Sequence, residues 1–174
     1  ERMTGWLVLP LISGVALLAQ PDLLSLGSAT ALAVAIDGGT IVALVVVLLV
    51  ASNRRFGASV ETVTGWRRFF VAIHLGVDAL RRDRRGSLEV IAAGAAFQTL
   101  QCLAVWMAAE AIGLQGQVTV GVALAFFPAA AIAQNLPVGL GGLGVREGIF
   151  VVFFGAVGAP RALSITLGLV VYGL

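Results

Sequence analysis

The sequence predicts an all-α fold: a polytopic transmembrane helix bundle with a broken or re-entrant helix pair around a glycine-rich motif. Three observations predict it. Of the 174 residues, 59% are hydrophobic and only 11% are charged, too little polar surface for a soluble domain of this size. The apolar residues fall into runs close to the length of a bilayer crossing, divided by Pro, Gly and charge. One stretch, Leu136 to Gly148 (LPVGLGGLGVREG), gathers five glycines, a proline, an arginine and a glutamate between two short apolar runs.

Thr4 to Gln20 is the first run, stopped by Pro21-Asp22. At about 1.5 Å per residue it just reaches across a hydrocarbon core of roughly 30 Å. Leu23 to Gly27 is a short connection. Ser28 to Ser52 is a second, longer run that carries Asp37-Gly38-Gly39 inside it. Its Val and Ile are poor helix formers in water, but a membrane removes the competition from solvent.

Asn53 to Gly86 is the hydrophilic region. It holds eight arginines against Glu61, Asp78 and Asp83, a net of +5. The positive-inside rule places this loop in the cytoplasm. Within it, Trp66, Phe69, Phe70, Ile73, Val77 and Leu80 recur at helical spacing, with Arg67, His74, Asp78, Arg81 and Arg82 mainly on the other side. That pattern predicts an amphipathic surface helix with its arginines among anionic headgroups; a solvated linker helix packed on protein is the alternative.

Ser87 to Leu114 is a third span, interrupted by Glu89, Gln98, Gln101 and Glu110. Gln98 and Gln101 share a face with Gly94, which suits interhelical hydrogen bonding and close packing. Gln115-Gly116-Gln117 is an uncharged turn. Val118 to Gln134 follows, with Pro128 in its middle, then the glycine stretch, then Gly144 to Gly158, and last Leu163 to Leu174. With the arginine loop inside, the first span runs outward, the second returns, the third runs outward again, and residues 115–117 are external. Both ends read as cut, so residues 1–174 form one transmembrane domain within a longer chain, with 53–86 its cytoplasmic loop and surface helix. The expected location is the cytoplasmic membrane, crossed several times.

The short runs on either side of the glycine stretch suggest broken helices that meet near the midplane. Non-helical backbone at that depth has to line protein or a water-filled cavity. Gly141, Gly142 and Gly144 permit positive φ and close approach of a ligand. Their amides precede a helix N-terminus, which favours anions, and the fork of Arg146 suits a phosphate. Glu147, in the first helical turn, is favoured by the helix dipole and can pair with an arginine. The bland reading is a tight helix–turn–helix at the surface, with Arg146 snorkelling. Asp37, about ten residues into its run, is either a site residue contacting a headgroup or a charge partner, or an interfacial acid beside a Gly-Gly turn. One cysteine, Cys102, and one histidine, His74, leave no disulfide framework, zinc site or histidine triad. No metal, cofactor or catalytic residue is expected, and nucleic acid is not an expected partner.

LPVGLGGLGVREG resembles the signature of the lysylphosphatidylglycerol synthase transmembrane family, also called flippase-like integral membrane proteins. Pro137, Gly139, Gly141, Gly142, Gly144, Arg146 and Glu147 match its pattern. Glu1-Arg2 looks like the start of the family's E-R-x-x-D element, with Gly5 where that pattern has Asp. The order of parts also matches along essentially the whole chain. The resemblance implies a lipid translocase for an anionic phospholipid or a polyprenyl-phosphate-linked lipid. Glu1, Arg2, Asp37 and Glu147 would then be charge partners or headgroup contacts. In some members this region is fused to an aminoacyl-phosphatidylglycerol synthase. Nothing here resembles that soluble domain, so aminoacyl transfer is not assigned to this chain. The alternative is a non-transporting membrane module that anchors or presents lipid to an enzyme partner. A homo-oligomer is compatible with either. A membrane glycosyltransferase is the weaker third reading, because Asp78 and Asp83, the acids it would need for metal, sit among arginines.

Overall fold

The computed structural model describes residues 2–51, 84–134 and 144–173, which form seven α-helices and no strand among the described residues. They are α1 (Arg2–Ala19), α2 (Pro21–Leu24), α3 (Ser28–Ala51), α4 (Arg84–Ala111), α5 (Val120–Ala133), α6 (Val145–Ala156) and α7 (Arg161–Gly173). The surface helix expected between Val63 and Arg82 lies outside the described residues.

Local chemistry sets the helix ends. Gln20 is extended (φ −129°, ψ 82°), as the residue before a proline prefers, and Pro21 opens α2 at a position that needs no amide donor. The expected connection after Pro21 is therefore one short helical turn. The Thr30 hydroxyl, in the first turn of α3, donates to the Leu23 carbonyl and ties the two helices together. α4 begins at Arg84, three residues inside the expected loop. Gly86 does not stop it, because the long apolar run that follows favours an unbroken backbone ladder. At its other end Leu114 N–H donates to the Ala109 carbonyl (2.9 Å) and Gly113 N–H to the Glu110 carbonyl (3.2 Å). This Schellman closure needs a left-handed residue, supplied by Gly113 at φ +91°. The Thr119 hydroxyl then caps α5 by accepting from Val122 N–H at 3.3 Å.

Two kinds of helix result. α3 and α4 have 24 and 28 residues and contain the two segments that, among the described residues, are long and apolar enough to cross a membrane, Ser28–Leu49 and Arg85–Ala111. Their apolar side chains are largely exposed: Val42, Val46, Phe97, Leu100 and Met107 among them. α5 has 14 residues, eleven of them buried, and packs against α1, α3, α4 and α6. Its alanines let neighbouring backbones come close. Pro128 interrupts its ladder. Nearby, the buried Ser13 hydroxyl of α1 donates to the Ala125 carbonyl at 2.7 Å, a side-chain bond of the kind that makes a proline tolerable in a membrane helix.

Candidate functional site

The expected site lies where α5 gives way to α6. α5 ends at Gln134, whose N–H still donates to the Ala130 carbonyl at 3.1 Å, and α6 begins at Val145. The two apolar runs are thus separate helices. Residues 135–143 lie outside the described residues, and with them Pro137, Gly139, Gly141 and Gly142. So do Glu1 and the side chains of Arg2 and Arg146. The backbone of Arg2 opens α1, and that of Arg146 is the second residue of α6.

Gly144 is the N-cap of α6 at φ +91°, ψ −47°, a conformation that an L side chain would strain. Its N–H donates to Glu147 Oε2 at 2.6 Å, and its carbonyl accepts from Gly148 N–H at 3.0 Å. Glu147 therefore closes the acidic half of a capping box, with its carboxylate at the positive end of the helix dipole. The amides of Val145 and Arg146 lie in the first turn of α6, ahead of the backbone bond from Gly148 N–H to the Gly144 carbonyl. Gly144 is exposed and Glu147 partly so. A carboxylate of the chain itself thus sits at the positive end of this helix.

Aromatic packing fixes α6 from behind. Phe126 of α5 stacks on Phe153 with ring centroids 5.1 Å apart, and Phe150 meets Phe154 edge-on at the same separation. All four rings are fully buried, and a Cβ added at Gly168 of α7 would meet the Phe150 ring at ordinary contact distance. The N-terminus of α6 is consequently carried on a rigid support.

Asp37 is 6% exposed, in the middle of α3. Gly38 and Gly39 after it are helical, so no Gly-Gly turn accompanies this acid. The Ser13 hydroxyl lies beside it. That hydroxyl gives its hydrogen to Ala125, and neither Asp37 oxygen has a hydrogen-bond partner among the described residues. The other buried hydroxyls are satisfied: Thr40 donates to the Ile36 carbonyl (2.8 Å) and Ser164 to the Pro160 carbonyl (3.2 Å). On α4, Gln98 Oε1 is also buried without a partner among the described residues, where an interhelical bond was expected.

Sequence reasoning missed an apolar groove of about 500 Å³ between α1, α4 and α5, lined by Val8, Ile12, Ala16, Ile91, Thr99 and Leu124. The Thr99 hydroxyl is spent on the Ala95 carbonyl at 2.8 Å, so the wall it forms is apolar. At one end the Gln20 amide lies over Gly121, in the space a Cβ there would fill. Small residues on α1 and α5 (Gly14, Ala16, Gly121) were the available signal for this close pairing, but they do not predict a groove.

Comparison with known proteins gives one result. The model of the family described as "Lysylphosphatidylglycerol synthase TM region" matches residues 1–174, the whole chain. Neither the curated proteins nor the solved structures provide a match.

Proposed function

We propose the following reading for a chain that belongs to the lysylphosphatidylglycerol synthase TM region family: it is a multi-pass protein of the cytoplasmic membrane that translocates a phosphate-bearing lipid. The family is one of membrane domains; transport, the lipid and the orientation are our inference. The observation that carries it is the N-terminus of α6, where a positive-φ glycine opens a short helix braced by buried aromatics, a setting that favours an anion. Glu147 accepts from the Gly144 amide. An arriving phosphate competes for that end of the helix, with Gly141, Gly142 and Gly144 giving it backbone access and Arg146 a bidentate guanidinium. Glu147, once displaced, can pair with Arg146 or with a cationic part of the headgroup. Glu1 and Arg2 are further candidates for such contacts, by their match to the family's E-R element.

Two features support a lipid over a soluble anion. α3 and α4 present long apolar faces suited to hydrocarbon. The groove between α1, α4 and α5 has the volume and the apolar walls for part of an acyl or isoprenoid chain. The competing reading is a module that binds lipid and presents it to an enzyme without moving it. Reconstitution into liposomes carrying a headgroup-labelled anionic phospholipid separates the two. Translocation makes the inner-leaflet label accessible to a membrane-impermeant quencher. A presenting module binds the lipid but leaves the inner label protected.

A further inference from the structure

We propose that Asp37 is a proton-binding site that couples lipid translocation to the transmembrane proton gradient. The proposal rests on the translocase reading and adds its energy source. Asp37 lies nine residues after Ser28 and fourteen before Ala51, the ends of α3. At about 1.5 Å per residue this is mid-depth in a crossing helix. The side chain is 94% buried, enclosed where α3 meets α1 and α5, and neither oxygen receives a hydrogen bond among the described residues.

Among the described residues, the helices packed against Asp37 bring no ionisable residue to its depth. Asp37 is the sole ionisable residue of α3. From Val8 to Ala19, α1 has none, and α5 has none along its length. α6, which also touches α3, carries Arg146 and Glu147 in its first turn, and Glu147 is engaged by the Gly144 amide. Arg2 lies at the far end of α1, eleven residues before Ser13, and the exposed Asp22 lies in α2, outside α3. Ser13, beside the acid, gives its hydrogen to the Ala125 carbonyl at 2.7 Å. Among the described residues a carboxylate here accepts no hydrogen bond. A carboxylic acid has a hydrogen to offer and no charge to solvate.

The enclosed state therefore holds the proton on the carboxyl oxygen. When α1 and α5 part from α3 during transport, water reaches the group and the proton leaves to that side. The carboxylate left behind cannot be re-enclosed without taking a proton again. This makes the closing step conditional on protonation, the logic of a proton relay inside a membrane.

Two measurements on the full chain test it. The first is labelling by a hydrophobic carbodiimide, which needs a protonated carboxyl in apolar surroundings. It should modify Asp37 at neutral pH, with Asp22 as the unlabelled internal control, read by peptide mass. The second uses liposomes with headgroup-labelled phosphatidylglycerol, with and without an imposed pH gradient. Wild-type protein should move the lipid faster under the gradient. Asp37→Asn, which preserves shape, should give equal rates with and without the gradient, whatever its absolute rate. Absence of labelling, or a gradient response that survives in Asp37→Asn, overturns the proton site. Loss of all lipid movement in the wild type overturns the translocase reading itself, and the coupling with it, even if Asp37 is labelled.

Discussion

α5 and α3 are similar in composition and opposite in situation. Both are made of Val, Ala, Leu and Ile with scarcely a polar residue, yet eleven of the fourteen residues of α5 are buried, whereas only 17% of the most apolar stretch of α3 is. In water such sequences would both seek a core. In a membrane, apolarity no longer selects the inside, because hydrocarbon solvates the same side chains. What sends α5 inward is its small cross-section, six alanines around Phe126 and Phe127, and its length of about 21 Å, too short to cross. α3 is long enough to span and bulky on its outer face, with Val42, Val45, Val46 and Leu49.

This contrast predicts how substitutions sort. Phe126→Ala should be the most damaging, because it removes a buried ring stacked on Phe153, a loss of about 3–5 kcal/mol in comparable cores. Thermal unfolding in detergent should show it, and a near-normal melting temperature would mean that α5 and α6 are not held by these rings. Ala129→Leu should come next. Ala129 is fully buried, and overpacking costs roughly 1–3 kcal/mol. A smaller loss, about 1 kcal/mol, is expected for Glu147→Ala, which leaves the Gly144 amide without its acceptor; faster hydrogen exchange at Gly144 would report it locally. Val42→Leu on the exposed face of α3 should change stability by less than about 0.5 kcal/mol. Should Val42→Leu prove as harmful as Ala129→Leu, that face packs against protein, and the contrast with α5 fails.

Much of the helical order was legible because Pro21, the Gln115-Gly116-Gln117 turn and the Arg-rich region punctuate the chain chemically, whereas the Gly113 closure of α4 was not singled out. The positive φ of Gly144 was legible for the same reason, as was the separation of α5 from α6. Which helix is central was not. Apolar residues surround α5 on every side, so periodicity carries no face information, and burial depends on contacts made far along the chain. Glu147 was read as a dipole-favoured acid that could pair with an arginine. Its bond to the Gly144 amide is a local competitor that the spacing from Gly144 to Glu147 permits but does not single out. For Asp37, sequence left a turn open as the explanation. The unbroken helix removes it, because a bilayer-length ladder tolerates two glycines.

The central claim is that the N-terminus of α6 holds a lipid phosphate during translocation, and Arg146 tests it most directly. Quencher-accessibility kinetics of headgroup-labelled phosphatidylglycerol should be compared in liposomes bearing wild-type, Arg146→Ala and Arg146→Lys proteins of equal melting temperature. Loss of a charge-assisted contact worth roughly 1.5–3 kcal/mol predicts a fall of about ten- to a hundredfold for Arg146→Ala. Arg146→Lys should recover part of the rate, since a point charge lacks the bidentate fork. Full translocation by Arg146→Ala would contradict the account and leave Gly144 and Glu147 as a structural clamp on the start of α6.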